Sequence, residues 1–180
     1  MKRISLLIST LLFSAVLFAD ESPYVGEENR SIKSLSAEEI EGLESGSGMG
    51  FAKLAELNHY PGPKHVLELA HDLELTPSQL TTTRALFAEM QRNAISLGHK
   101  LLQAEKDLDR EFESSTIDAE SLNLALADIG SIRTQLRYVH LEAHLRQRLM
   151  LTANQLVKYD ELRGYRGAEQ DHSQHSGHHN

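Results

Sequence analysis

The chain has 180 residues and a formal charge of −8, with four Pro, five Phe, five Tyr, no Trp and no Cys. That length holds one domain once a targeting segment is set aside, and so few aromatics favour helices packed through Leu, Ala and Ile over a β-sandwich. Net acidity without a basic run excludes nucleic acid as the main partner, and the lack of Cys excludes disulfides and thiolate metal ligands.

Residues 1–19 read as a secretory signal peptide. Met1-Lys2-Arg3 is a positive start, Ile4 to Phe18 is mostly apolar and uncharged, and Ala19 precedes the polar Asp20-Glu21-Ser22. The apolar run falls short of the ~20 residues a bilayer span needs, so cleavage after Ala19 is expected rather than stable membrane insertion. The expected compartment is the periplasm, and the charge becomes about −10 when Lys2 and Arg3 leave.

Residues 20–35 are polar and without period, which predicts a flexible linker. Residues 36–65 are expected to form short N-terminal helices. Ser36-Ala37-Glu38-Glu39 is a capping box, with Ile40 and Leu43 on the apolar side. Gly46-Ser47-Gly48-Met49-Gly50 superficially resembles a phosphate-binding loop. No strand precedes it and no Lys-Ser/Thr closes it, so a hinge is the better reading. Phe51 to Leu57 adds a helical turn or two, and Tyr60-Pro61-Gly62-Pro63 a turn that places Pro63 first in the next short helix.

Residues 66–164 are expected to form an all-α domain built on a long antiparallel helical hairpin. Thr76 to Glu113 carries Leu80, Phe87, Met90, Ala94, Leu97, Leu101, Leu108 and Phe112 at helical steps. At 1.5 Å per residue that arm extends roughly 55 Å. Ser114-Ser115-Thr116 makes a turn, and Asp118 or Thr116 caps a return helix reaching about Met150. The return helix has two apolar stripes. Leu122, Ala125, Ile129, Ile132, Leu136, Val139 and Ala143 face the first arm, while Leu141, Leu145 and Leu149 lie nearly opposite, a candidate client or partner surface. A thin core adds to the expectation of a homodimer.

One signal occurs twice, as Leu75-Thr76-Pro77-Ser78-Gln79-Leu80 and Leu151-Thr152-Ala153-Asn154-Gln155-Leu156. In each, Thr at the N-cap and Gln at N3 can exchange hydrogen bonds, and the flanking Leu residues supply a hydrophobic staple. Their expected work is architectural. Residues 165–180 end in Asp171-His172-Ser173-Gln174-His175-Ser176-Gly177-His178-His179, and are expected to be a disordered His-rich tail. His172, His175, His178 and His179 suit weak capture of Zn, Cu or Ni. His140 and His144, at i and i+4, could share one ion, with His65 and His71, or a second subunit, completing the site. The reading preferred for that pair is half-buried boundary residues bonded to carboxylates. Glu105, Asp107, Asp109 and Glu111 interleave with Lys106 and Arg110 as a solvated face. No nucleophile elbow or His-Glu-x-x-His motif appears, so no enzyme and no required cofactor are expected.

The two Leu-Thr-x-x-Gln motifs, with Val139-His140-Leu141-Glu142 before the second, resemble the Spy/CpxP family of periplasmic proteins over residues 66–164. The resemblance implies a cradle-shaped antiparallel dimer and a role in envelope stress. Members act as ATP-independent chaperones, as inhibitory partners of envelope sensor kinases, or as metal-responsive proteins. An unfolded client or an envelope sensor protein is thus the implied partner. The first expectation is an envelope-stress binding protein that senses or buffers Zn, Cu or Ni, and the alternative is a chaperone or sensor-kinase inhibitor with no metal role. The chain departs from Spy in its extra residues from Ser36 to about His65 and in its acidity, where Spy-like chaperones tend to be basic.

Overall fold

A computed structural model describes residues 21–166. The expected signal peptide and the tail histidines His172, His175, His178 and His179 lie outside the described residues. Among the described residues there is no strand. A 3-10 turn, Glu27–Asn29, is followed by α1 (Ala37–Ser45), α2 (Lys53–Leu57), α3 (Pro63–Glu68), α4 (Pro77–Glu113), α5 (Ala119–Met150) and α6 (Ala153–Leu162). No helix among these residues is long and apolar enough to cross a membrane.

Helix starts follow local chemistry. Ser36, Thr76, Asp118 and Thr152 each accept from the N3 amide while the N3 side chain returns a bond to the cap, closing four capping boxes. Pro63 and Pro77 open α3 and α4, where a missing N–H costs nothing. Of the two caps open for the return helix, Asp118 is used.

α4 and α5 form the expected hairpin, and their cross-links give its sense. Glu105 meets Arg133 near the turn, Glu89 meets Arg146 further down, and Thr83 meets Gln147 nearer the base. Rising numbers on one arm pair with falling numbers on the other, so the arms run antiparallel. The distal core combines Leu101, Ile129, Ile132 and Leu136 with Ile32, Leu35 and Leu43. Leu86, Met90 and Ala143 pack nearer the base, and Val66, Leu73, Leu151 and Tyr159 join α3 to α6.

Three expectations are corrected. Glu105, assigned to a solvated face, is buried, because Ser34 and Arg133 reach over it and bond its carboxylate. Residues 20–35 are not a free linker throughout, because Ile32 and Leu35 are buried in the distal core. Isolated apolar side chains in a polar stretch leave no period to detect, yet the hairpin face accepts them. Phe112, assigned to the apolar stripe, stands exposed near the hairpin turn. α1 crosses α4 closely at Gly98, where a Cβ would collide with the Leu43 carbonyl, so the crossing depends on that glycine.

Candidate functional site

The two Leu-Thr-x-x-Gln motifs meet. Gln79 and Gln155 pair through their side-chain amides, Nε2 of Gln79 donating to Oε1 of Gln155 at 2.8 Å and the reverse bond measuring 3.1 Å. Gln79 Nε2 also donates to the Met150 carbonyl at 2.8 Å, and Gln155 Nε2 to the Leu73 carbonyl at 3.1 Å. Each Gln therefore closes its own capping box and reaches across to the other motif. Leu75, Leu151 and Leu156 sit in the apolar cluster around Tyr159, while Leu80 is half-buried. The architectural role was readable from each motif alone; their mutual clasp was not.

A second cluster lies between the glycine turn and the hairpin. Its cavity, about 470 Å³, is lined by Gly46, Gly48, Met49, Phe87, Met90 and the polar Glu56, His65, His140 and His144. His140 is 2% exposed and stacks on Phe51 at 5.7 Å between centroids, with no protein partner for Nε2. Burial pushes its pKa down to about 4, with His144 next in effect, so the ring is neutral at pH 7. His144 Nδ1 lies 2.7 Å from the Tyr60 carbonyl, which can only accept, so Nδ1 carries the proton. Burial lowers the His144 pKa, while the Tyr60 bond and Glu56 oppose that. Gly62 makes room for this ring, since a Cβ there would stand 2.8 Å from His144 Nε2.

These two histidines are thus buried, not half-buried, and their bonds run to a carbonyl and an aromatic ring. Glu56 Oε2 is 3.8 Å from His144 Nδ1, too far for a hydrogen bond. Among the described residues no three His, Asp or Glu side chains are arranged to hold a metal ion. His65 shares the cavity but bonds Glu68, and His71 sits beside Asp72 at the surface. Glu142 reaches Arg146, away from the pair.

Glu56 is a residue that sequence reasoning missed. Its Oε1 accepts from Tyr159 Oη at 2.5 Å, Arg163 Nε at 3.2 Å and Tyr165 Oη at 3.2 Å, tying α2 to α6. Burial first, then Glu56, holds the Tyr159 phenol well above its usual range, so it stays a donor. The available signal was the tight Tyr159, Arg163, Tyr165 spacing after the second motif, which offers three donors in need of an acceptor.

The third feature is the outer face of α5. Leu149 is 86% exposed, Leu145 53% and Tyr138 64%, while Leu141 is half-buried. Spacings of three and four residues place all four on one side, opposite Ile129, Leu136 and Ala143. Arg137 and Arg148 flank this stripe on one side, and Glu142 and Arg146 on the other. No family model, no curated protein and no solved structure matches the chain.

Proposed function

We propose that the chain is an exported, non-enzymatic binding protein of the bacterial envelope, of the Spy/CpxP type, that holds non-native polypeptides without ATP. The observation that carries this reading is the apolar stripe of Tyr138, Leu141, Leu145 and Leu149, presented on a helix whose opposite face is fully packed. A rigid hairpin keeps that stripe from collapsing into its own core. Burying one such Leu against a partner is worth about 1.5–3 kcal/mol, so a few apolar anchors suffice for a releasable complex.

The occupant we assign is an apolar segment of an unfolded chain that also carries acidic residues. Charge supports this. Although the protein is acidic overall, Arg137 and Arg148 border one side of the stripe, while Arg146 on the other side is paired with Glu89 and Glu142. The cationic attraction that composition alone argued against is therefore available along one edge. The tail histidines that carry the metal-responsive reading lie outside the described residues.

The test uses mature protein and a reduced, unfolded α-lactalbumin client, following light scattering without ATP. The native sequence is expected to suppress aggregation near equal ratios. The double variant Leu145→Glu, Leu149→Glu should need at least tenfold more protein, with helicity unchanged. Full activity in that variant rejects the stripe as the client surface. Conversion of a dimer to a monomer by the same changes, without loss of suppression, would assign the stripe to a second copy instead.

A further inference from the structure

We propose that residues 22–35 form an autoinhibitory strap, a polar segment with two apolar anchors occupying a hairpin face that can take an extended client when the strap lifts. This inference rests on the client-binding reading above but concerns a different face, the one bearing Leu101, Ile132 and Leu136.

The strap is attached in a way that helices are not. It has no regular structure beyond the turn at Glu27–Asn29. Its backbone hydrogen bonds all close within itself: Val25 to Ser22, Glu27 to Tyr24, Arg30 to Glu27 and Leu35 to Ile32. No backbone bond joins it to the hairpin. What holds it is side chains only. Ile32 and Leu35 insert into the core cluster of Leu101, Ile129, Ile132 and Leu136. Lys33 Nζ reaches Asp109 at 3.2 Å and Glu113 at 2.5 Å, and Ser34 Oγ donates to Glu105 at 2.9 Å.

Lifting such a segment breaks no secondary structure. It trades two apolar anchors and a few polar contacts for those of an incoming chain, which is the composition of a client contact. The fit is also incomplete. A groove of about 370 Å³ runs beside Ile32, where Ile40 and Leu102 are edged by Glu44, His99, Gln103 and Lys106, so the strap leaves some apolar surface within a polar rim uncovered. α1, by contrast, is fixed by its capping box and by the close approach of Leu43 to Gly98, and serves as the hinge point after residue 35.

The lack of Cys makes a clean test possible in the whole mature protein. Lys33→Cys with Asp109→Cys is made, and one portion is bridged by a short bis-maleimide. The other is capped on both thiols with N-ethylmaleimide. Both samples carry the same substitutions and differ only in whether the strap can lift. The capped protein is expected to bind unfolded α-lactalbumin and the dye bis-ANS at least tenfold more tightly than the bridged one. Equal dye binding in the two samples would overturn the strap, whatever the client does. A dye difference with no client binding in either sample would reject the client-binding reading, while the strap would stand as a lid over an apolar face. Ile32→Asp with Leu35→Asp provides a second arm, expected to raise dye binding with the hairpin still helical. Introducing Leu145→Glu and Leu149→Glu into the capped protein separates the faces, because binding at the strap face persists.

Discussion

The two halves of the hairpin are built from the same pair of helices but held by different forces. In the distal half, Leu101, Ile129, Ile132 and Leu136 make an apolar seam, completed by Ile32, Leu35 and Leu43 and edged with charge. In the basal half, polar groups set the contacts: Gln147 Nε2 donates to Thr83 Oγ1 inside the core, Gln79 pairs with Gln155, and the Glu56 carboxylate of α2 gathers three donors from α6 and the residues after it. An apolar seam tolerates sliding and substitution, because dispersion and burial are not directional. Hydrogen-bonded groups do not, because a shift of one residue leaves buried donors unpaired. The comparison teaches that the base sets the register of the hairpin, and the distal half closes it with an undirected apolar seam.

The largest expected effect is in the distal seam. Leu136→Ala removes a side chain that is 1% exposed and should cost about 2–5 kcal/mol, read from urea midpoints. The loss should depend little on pH or salt. A cost below about 1 kcal/mol would show that strap and hairpin close over the gap, and would blunt the contrast with the base.

Acid should affect the base selectively, by an intermediate amount. His140 is neutral in the folded protein, with its pKa pushed down to about 4, whereas in the unfolded chain it titrates near 6.5. Between those values the unfolded state binds the extra proton. Stability is therefore intact above pH 6.5, falls as pH drops toward 4, and changes no further below that. The loss from this group should reach about 2 kcal/mol by pH 5, at roughly 1.4 kcal/mol per unit. His140→Phe keeps a ring against Phe51 and should remove this component from the urea midpoint measured at pH 7 and at pH 5. An unchanged pH profile in the variant would mean that the ring is hydrated rather than sealed.

Much of this architecture is legible in the sequence, for a local reason. Capping boxes, Pro at helix starts and a 3.6-residue apolar period are properties of neighbouring residues, so Ser36, Pro63, Thr76 and Thr152 announce their helices. The exposed stripe of Leu145 and Leu149 is legible as well, since one helix cannot bury two opposite faces in a single partner. What was hidden depends on residues far apart. Ile32 and Leu35 have no period to betray them, and Glu56 looks like any solvated carboxylate until Tyr159, Arg163 and Tyr165 arrive from over a hundred positions away. His140 and His144 looked like a boundary pair because i, i+4 spacing says nothing about Phe51 and Tyr60, which cover them.

The smallest effect is the one that bears most directly on register. Gln155→Ala removes the cross-bond to Gln79, the bond to the Leu73 carbonyl and half of a capping box, and should cost about 1–2 kcal/mol. Most of that arises because the Leu73 carbonyl and the Thr152 N–H lose their partner, while Gln79 keeps its own capping box. Gln79→Ala should behave alike, opening its own capping box and releasing the Met150 carbonyl. If the two amides work as one clasp, the double variant should cost less than the sum of the singles, by about 0.5–1 kcal/mol. Strict additivity would return the motifs to two independent helix starts. Because the clasp is neutral, the coupling should persist in high salt, where the Glu105–Arg133 contact of the distal half, with its half-exposed guanidinium, is screened. Coupling that fades with salt would imply that charged neighbours, not the paired amides, hold the base of the hairpin in register.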